Sequence, residues 1–180
     1  MSLQPNVVVT GNAAGKAVIV EDHDIHAVTT PALTGLDIYL AWGTHDGAIS
    51  NNDKAPSAVL TPYWPGPGGT RLLLVTWLPA GHTGSGATPE AGSDTDTILQ
   101  GLIASVEVDD PGMHTSATLD YGIVVAGEMW LELDDGVERR LPQGTCVVQR
   151  GTRHRWVNRS GQPATMAFVL IGTDDAKPTS

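Results

Sequence analysis

Apolar residues in this chain come in short runs broken by Gly, Pro, Asn, Asp and Ser, and almost nowhere at helical spacing. VVVTGNAAGKAVIVE (7–21) reads as two short strands around a Gly/Asn turn, and DIYLAW (37–42) as a third strand, followed by a polar stretch to residue 60. PYWPGPGGT (62–70) is a rigid Pro/Gly turn region that cannot sit inside a strand, and RLLLVTWLPAG (71–81) is the next strand. HTGSGATPEAGSDTDTILQG (82–101) shows neither period, so it predicts a long loop, mobile in its first part, leading into a strand around Leu102 to Val108. From Tyr121 onward the signals are dense: YGIVVAGE, MWLELDDG, VERRLPQG, TCVVQRG, HRWVNRSG and ATMAFVLIG. Strands so closely and regularly punctuated predict an all-β chain, an antiparallel barrel or two-sheet jelly roll. The expected organisation is one domain over 1–180: amino-terminal strands and the long loop in 1–104, a motif-bearing region in 105–172, and a flexible tail over 173–180.

Composition sharpens this. Gly (21) and Pro (12) are abundant without any repeat, which suits many turns. No run of 18 apolar residues appears, and MSLQPNVVVTGN lacks the charged-then-apolar layout of a signal peptide. The single cysteine, Cys146, allows no internal disulfide, fits a reducing compartment such as the cytoplasm, and reads as an inert thiol buried in an apolar strand. A net charge of −10 argues against nucleic acid and anionic membranes as partners. Six of the seven arginines (Arg139, Arg140, Arg150, Arg153, Arg155, Arg159) fall in the last quarter, as a solvated sheet face or as an anion-attracting mouth.

The candidate chemistry sits in two stretches. PGMHTSATLDYGIVVAGE places His114, Ser116, Asp120 and Gly127 in order; QGTCVVQRGTRHRWVN places Gly144, Gln149, Gly151, His154 and Asn158. These spacings resemble the two motifs of the cupin superfamily, small antiparallel β-barrels, over residues 105–172. In that pattern Ser116 stands where a second histidine is usual, Asp120 where a glutamate is usual, and Gln149 where a proline is usual. The resemblance implies a metal site built from His114, Asp120 and His154, holding a divalent ion (Fe, Mn, Ni or Zn) with open positions. A metal-free polar pocket formed by the same three residues is the alternative. The resemblance also implies a homodimer, with the segment 7–21 adding strands to a partner's sheet.

Strand alternation sorts the neighbours. With His154 inward, Trp156 is inward, and Arg153 and Arg155 point away. With Asp120 inward, Gly122 and Val124 follow, and Tyr121 joins the catalytic candidates only if a bulge re-aims it. Met129, Leu131, Leu133, Met166, Phe168 and Leu170 read as barrel filling. Ser116, Trp77 and Trp156 are candidate substrate contacts, as is His82 at the head of the long loop, where it could close over the pocket. Trp42 and Trp64 either wall the same pocket or simply pack, and His23, His26 and His45 read as surface residues. The implied function is a metal-dependent enzyme acting on a small carboxylate, enol or carbonyl compound by Lewis-acid polarisation, in lyase, decarboxylase or isomerase chemistry. The alternatives are an Fe(II)-dependent dioxygenase and a non-catalytic, metal-free small-molecule binder.

Overall fold

The structure is a computed structural model and describes residues 4–50 and 57–175. In chain order the strands are β1 (Asn6–Ala13), β2 (Lys16–Asp24), β3 (Leu36–Thr44) and β4 (Thr70–Trp77). A helix, α1 (Asp94–Ile103), comes before β5 (Thr118–Ala126), β6 (Glu128–Glu132), β7 (Glu138–Pro142), β8 (Cys146–Arg150), β9 (Arg155–Val157) and β10 (Ala164–Gly172). Every strand ladder is antiparallel. A five-stranded sheet in the order β3-β4-β10-β5-β8 faces a three-stranded sheet, β7-β6-β9, while β1 and β2 form a separate hairpin. The all-β, two-sheet barrel read from the strand spacing is the fold observed.

The period of two sets the interior. On the central strand β10, Met166, Phe168 and Leu170 are buried, opposite Leu73 and Val75 of β4, Val124 of β5 and Met129 of β6. Leu131 packs against this core from the side. The outward positions of β5 and β8 are exposed, and Cys146 is among them. The thiol expected to be buried therefore lies on the outer face with Val148, because β8 is an edge strand with only one covered face. Gly127, between β5 and β6, has φ +73°, and a Cβ there would lie 2.7 Å from the Pro163 carbonyl, so the connection needs glycine.

Two expectations are corrected. The first hairpin turns at Ala14–Gly15, not at Gly11–Asn12, because a two-residue turn of matching twist needs positive φ at both positions, here 50° and 75°. The loop 82–101 contains the start of α1, and the strand expected over Leu102 to Val108 is absent. The Ser93 hydroxyl caps the helix by accepting from the Asp96 amide at 3.1 Å, Asp94 and Asp96 favour its first turn, and Ile98 and Leu99 bury one face. The earlier part of the loop makes hydrogen bonds to the barrel: Asp37 accepts from the Ser85 and Gly86 amides (2.6 and 3.0 Å) and from the Ser85 hydroxyl, while Ala87 bonds to Ala27 and Thr29. At the start of the tail the Thr173 hydroxyl donates to Ala117 O at 3.1 Å; residues 176–180 lie outside the described residues.

Candidate active site

His114 and His154 are backbone partners. Each amide donates to the other's carbonyl at 3.0 Å, an antiparallel bridge that puts both side chains on one face, with ring centroids 4.2 Å apart. On β5, between Leu170 of β10 and Gln149 of β8, Asp120 points inward. All three line one cavity of about 130 Å³. Its walls are aromatic: Trp156 lies edge-on to His154 (5.3 Å) and Phe168 (5.7 Å), Trp77 packs on Phe168, and Trp64 stands 6.2 Å from His114. Leu102 and Val106, at and beyond the end of α1, close part of the rim.

Tyr63 and Trp64 reach this cavity from the Pro/Gly turn region, and of the two tryptophans expected either to wall the pocket or to pack, Trp64 lines it. Their anchor is Arg71, a buried cation on β4 that donates to the carbonyls of Pro62 (2.9 Å), Thr44 (3.0 Å) and Thr70 (2.7 Å). An arginine within an apolar strand beside a Pro/Gly turn was the available signal, since a buried guanidinium must find several carbonyls.

Both imidazoles are tethered alike. His114 Nδ1 lies 3.1 Å from Gly112 O, and His154 Nδ1 lies 2.9 Å from Thr152 O. A carbonyl only accepts, so each Nδ1 carries the proton, and each ring when neutral keeps Nε2 as an acceptor. The Gln149 amide nitrogen also donates to Thr152 O (2.9 Å), and its 3.0 Å approach to His154 Nδ1 follows from two donors sharing one carbonyl. Burial, and then the neighbouring His114, pull His154 down to about 3, so it is neutral at ordinary pH. Burial pushes Asp120 up to about 6, with the Thr118 hydroxyl opposing in part, and its Oδ1 has no hydrogen-bond partner. Tyr63 is raised by burial and then by Asp120, and stays a phenol.

Of the other expected site residues, Trp77 and Trp156 line the cavity, and three do not. Tyr121 is 44% exposed on the outer face of β5, since the ladder runs regularly past it (Asp120 opposite Leu170, Tyr121 opposite Val169) and no bulge turns it. Ser116 is fully buried and accepts from the Thr118 hydroxyl at 2.8 Å in a separate depression with Arg150 and Thr173. The chain between His114 and β5 is not a strand, so alternation does not carry Ser116 back to the histidine face. His82 is held by Pro79 O in a tight turn and lines an outer depression with Trp77, Trp156 and Asn158. Trp42 does not line the cavity.

As a metal cradle the donor set falls short. Two imidazoles are adjacent, but among the described residues no three His, Cys, Asp or Glu side chains form a group that could hold a metal ion. Aspartate is one methylene shorter than the glutamate of the motif, and Ser116 is engaged elsewhere. None of the clustered arginines lines the cavity. Arg153, Arg155 and Arg159 lie outside and are paired with carboxylates.

No protein-family model matches the chain. Among curated proteins it is 41% identical over 71 residues to a cupin-domain-containing oxidoreductase, fogC, of Aspergillus ruber, covering 38% of this chain and 34% of the relative. It is 46% identical over 67 residues to phomopsin biosynthesis cluster protein C′ of Diaporthe leptostromiformis, covering 37% and 34%. The match thus spans about a third of the length of each relative. Among solved structures, a cupin 2 conserved barrel domain protein from Salinispora arenicola is similar at a TM-score of 0.39 and 16% identity, covering 78% of each chain. No helix among the described residues is long and apolar enough to cross a membrane.

Proposed function

We propose that this cupin-like chain is an enzyme that moves protons on a small oxygenated organic substrate held in the barrel cavity, in isomerase- or lyase-type chemistry. The carrying observation is Asp120, a carboxyl with an unpartnered oxygen whose pKa is raised to about 6, in an aromatic-walled cavity beside two tethered imidazoles. As carboxylate, Asp120 takes a proton from carbon next to a carbonyl or from a hydroxyl; as acid, it returns the proton elsewhere on the substrate. His154 Nε2 accepts a hydrogen bond from the substrate and helps hold it in register. The names of the curated relatives, which include oxidoreductases, support an enzyme over a passive binder.

The expected metal held by His114, Asp120 and His154 has two donors side by side and lacks the convergence of the third, so the reading rests on the protein's own acid and bases. The test is α-deuteration of cyclohexanone in D₂O, followed by NMR. Exchange should fall at least about 10²-fold in Asp120→Asn. Exchange unchanged in that variant overturns Asp120 as the base, and no exchange in the parent across simple ketones favours the binder. Near-stoichiometric metal that disappears in His114→Ala/His154→Ala overturns the metal-free reading.

A further inference from the structure

The cavity carries more than a reaction type, because its walls state what charge and size they accept. Among the described residues, two buried side-chain polar atoms lack a hydrogen-bond partner: Trp64 Nε1 and Asp120 Oδ1. Both residues line this cavity, Trp64 with its ring 6.2 Å from His114, and one is an obligate donor while the other is a carboxyl. An unsatisfied buried donor or acceptor is costly, and two in one cavity mark groups that a ligand completes.

No lysine or arginine lines the cavity, and the arginines near it in sequence face outward into carboxylates. A ligand carboxylate would therefore be buried beside Asp120 with no cation to compensate, at the cost of an isolated buried charge. Size limits the ligand as well. A cavity of about 150 Å³ lined by apolar side chains takes up benzene, so about 130 Å³ accommodates roughly one ring. Taking the proposed catalytic cavity as premise, we infer that its substrate is an uncharged, single-ring alcohol, phenol or enolisable ketone. Its oxygen accepts from Trp64 Nε1–H, and its hydroxyl, or the enol formed on it, donates to Asp120 or His154 Nε2. Carboxylates, expected from the motif resemblance as one substrate class, are excluded.

The test uses three one-ring probes, phenol, benzene and benzoate, titrated at pH 7.5 against the full chain by calorimetry and by the fluorescence of the wall tryptophans. Phenol should bind at least 10-fold more tightly than either of the others. Trp64→Phe, which keeps the ring and removes the donor, should weaken phenol several-fold and leave benzene unchanged. Benzoate binding as well as phenol, or phenol indifferent to Trp64→Phe, overturns the inference. Cyclohexanone deuteration measured on the same samples separates the two readings. Probe discrimination without exchange supports the ligand class and sinks the catalytic reading; exchange without discrimination does the reverse.

Discussion

The chain from Thr152 to Arg159 has two faces, and they solve opposite problems. Inward, His154 and Trp156 line a cavity without lysine or arginine: His154 is neutral, Asp120 in the same cavity has its pKa raised to about 6, and two buried polar atoms have no hydrogen-bond partner. Outward, Arg153, Arg155 and Arg159 are fully charged and each meets at least two carboxylates. Arg153 binds Glu107, Asp110 and Asp134; Arg155 binds Asp110 and Glu132; Arg159 binds Glu132 and Glu138. Residues one step apart thus differ by their distance from water. The outer face satisfies its charges so that they hold the scaffold, and the inner face leaves its groups unsatisfied so that a ligand can complete them.

Acid titration should break this comparison most visibly. His154 has a folded-state pKa below its ordinary 6.5, so its contribution is present above pH 6.5 and lost as pH falls toward 3, about 5 kcal/mol in all. Asp120 is raised from 3.8 to about 6, so its contribution is present below pH 3.8 and lost as pH rises toward 6, about 3 kcal/mol. Between pH 4 and 6 the two slopes oppose each other, and the parent should change little. Asp120→Asn should uncover the histidine slope, with stability rising steeply from pH 4 to 6.5, and His154→Gln should uncover the opposite slope. Urea unfolding at pH 4, 5, 6 and 7 reads both. Parallel profiles for parent and Asp120→Asn would show that these groups do not titrate as the buried pair described.

Next in size is Glu132, an almost buried carboxylate on β6 whose partners are Arg155 and Arg159. Its removal leaves two guanidiniums short of a partner at the sheet surface, and Glu132→Ala should cost about 2–4 kcal/mol. Glu128→Ala is the control. Its pair with Arg140, 62% exposed, is screened by water, and its loss should shift the unfolding midpoint far less than the loss of Glu132. Equal losses in thermal unfolding would remove the distinction between a scaffold pair and a solvated one.

Much of this contrast was legible beforehand because it depends on period two. The inward positions Asp120, Val124, His154, Trp156, Met166, Phe168 and Leu170 follow from alternation and the motif spacings, as do the outward Arg153 and Arg155. What alternation could not supply lies where the chain leaves the strand. Ser116 is diverted by the irregular backbone between His114 and β5, Tyr63 and Trp64 enter from a turn region, and α1 depends on the cap at Ser93 inside a stretch too polar to show a long helical period. The tautomers of both histidines depend on the Gly112 and Thr152 carbonyls, and backbone acceptors leave no trace in a residue pattern.

The smallest expected effect joins the two faces. Glu107 and Asp110 lie in the segment between α1 and His114, which also supplies Val106 and Gly112 to the cavity wall and the carbonyl that orients His114. Arg153 grips that segment from outside. The pairs are partly exposed, with Arg153 28% and its carboxylates 34–64% exposed, so Arg153→Ala should change stability only slightly. Its effect on ligand exchange should be larger than its effect on stability, because a looser segment opens the wall and slackens the His114 tether at once. Stopped-flow tryptophan fluorescence with phenol should show faster dissociation in Arg153→Ala. Raising NaCl to about 0.5 M should speed dissociation from the parent by screening the same pairs, and change the variant little. A variant that keeps the parent's salt response would show that the outer charges hold the barrel together without governing access to its interior.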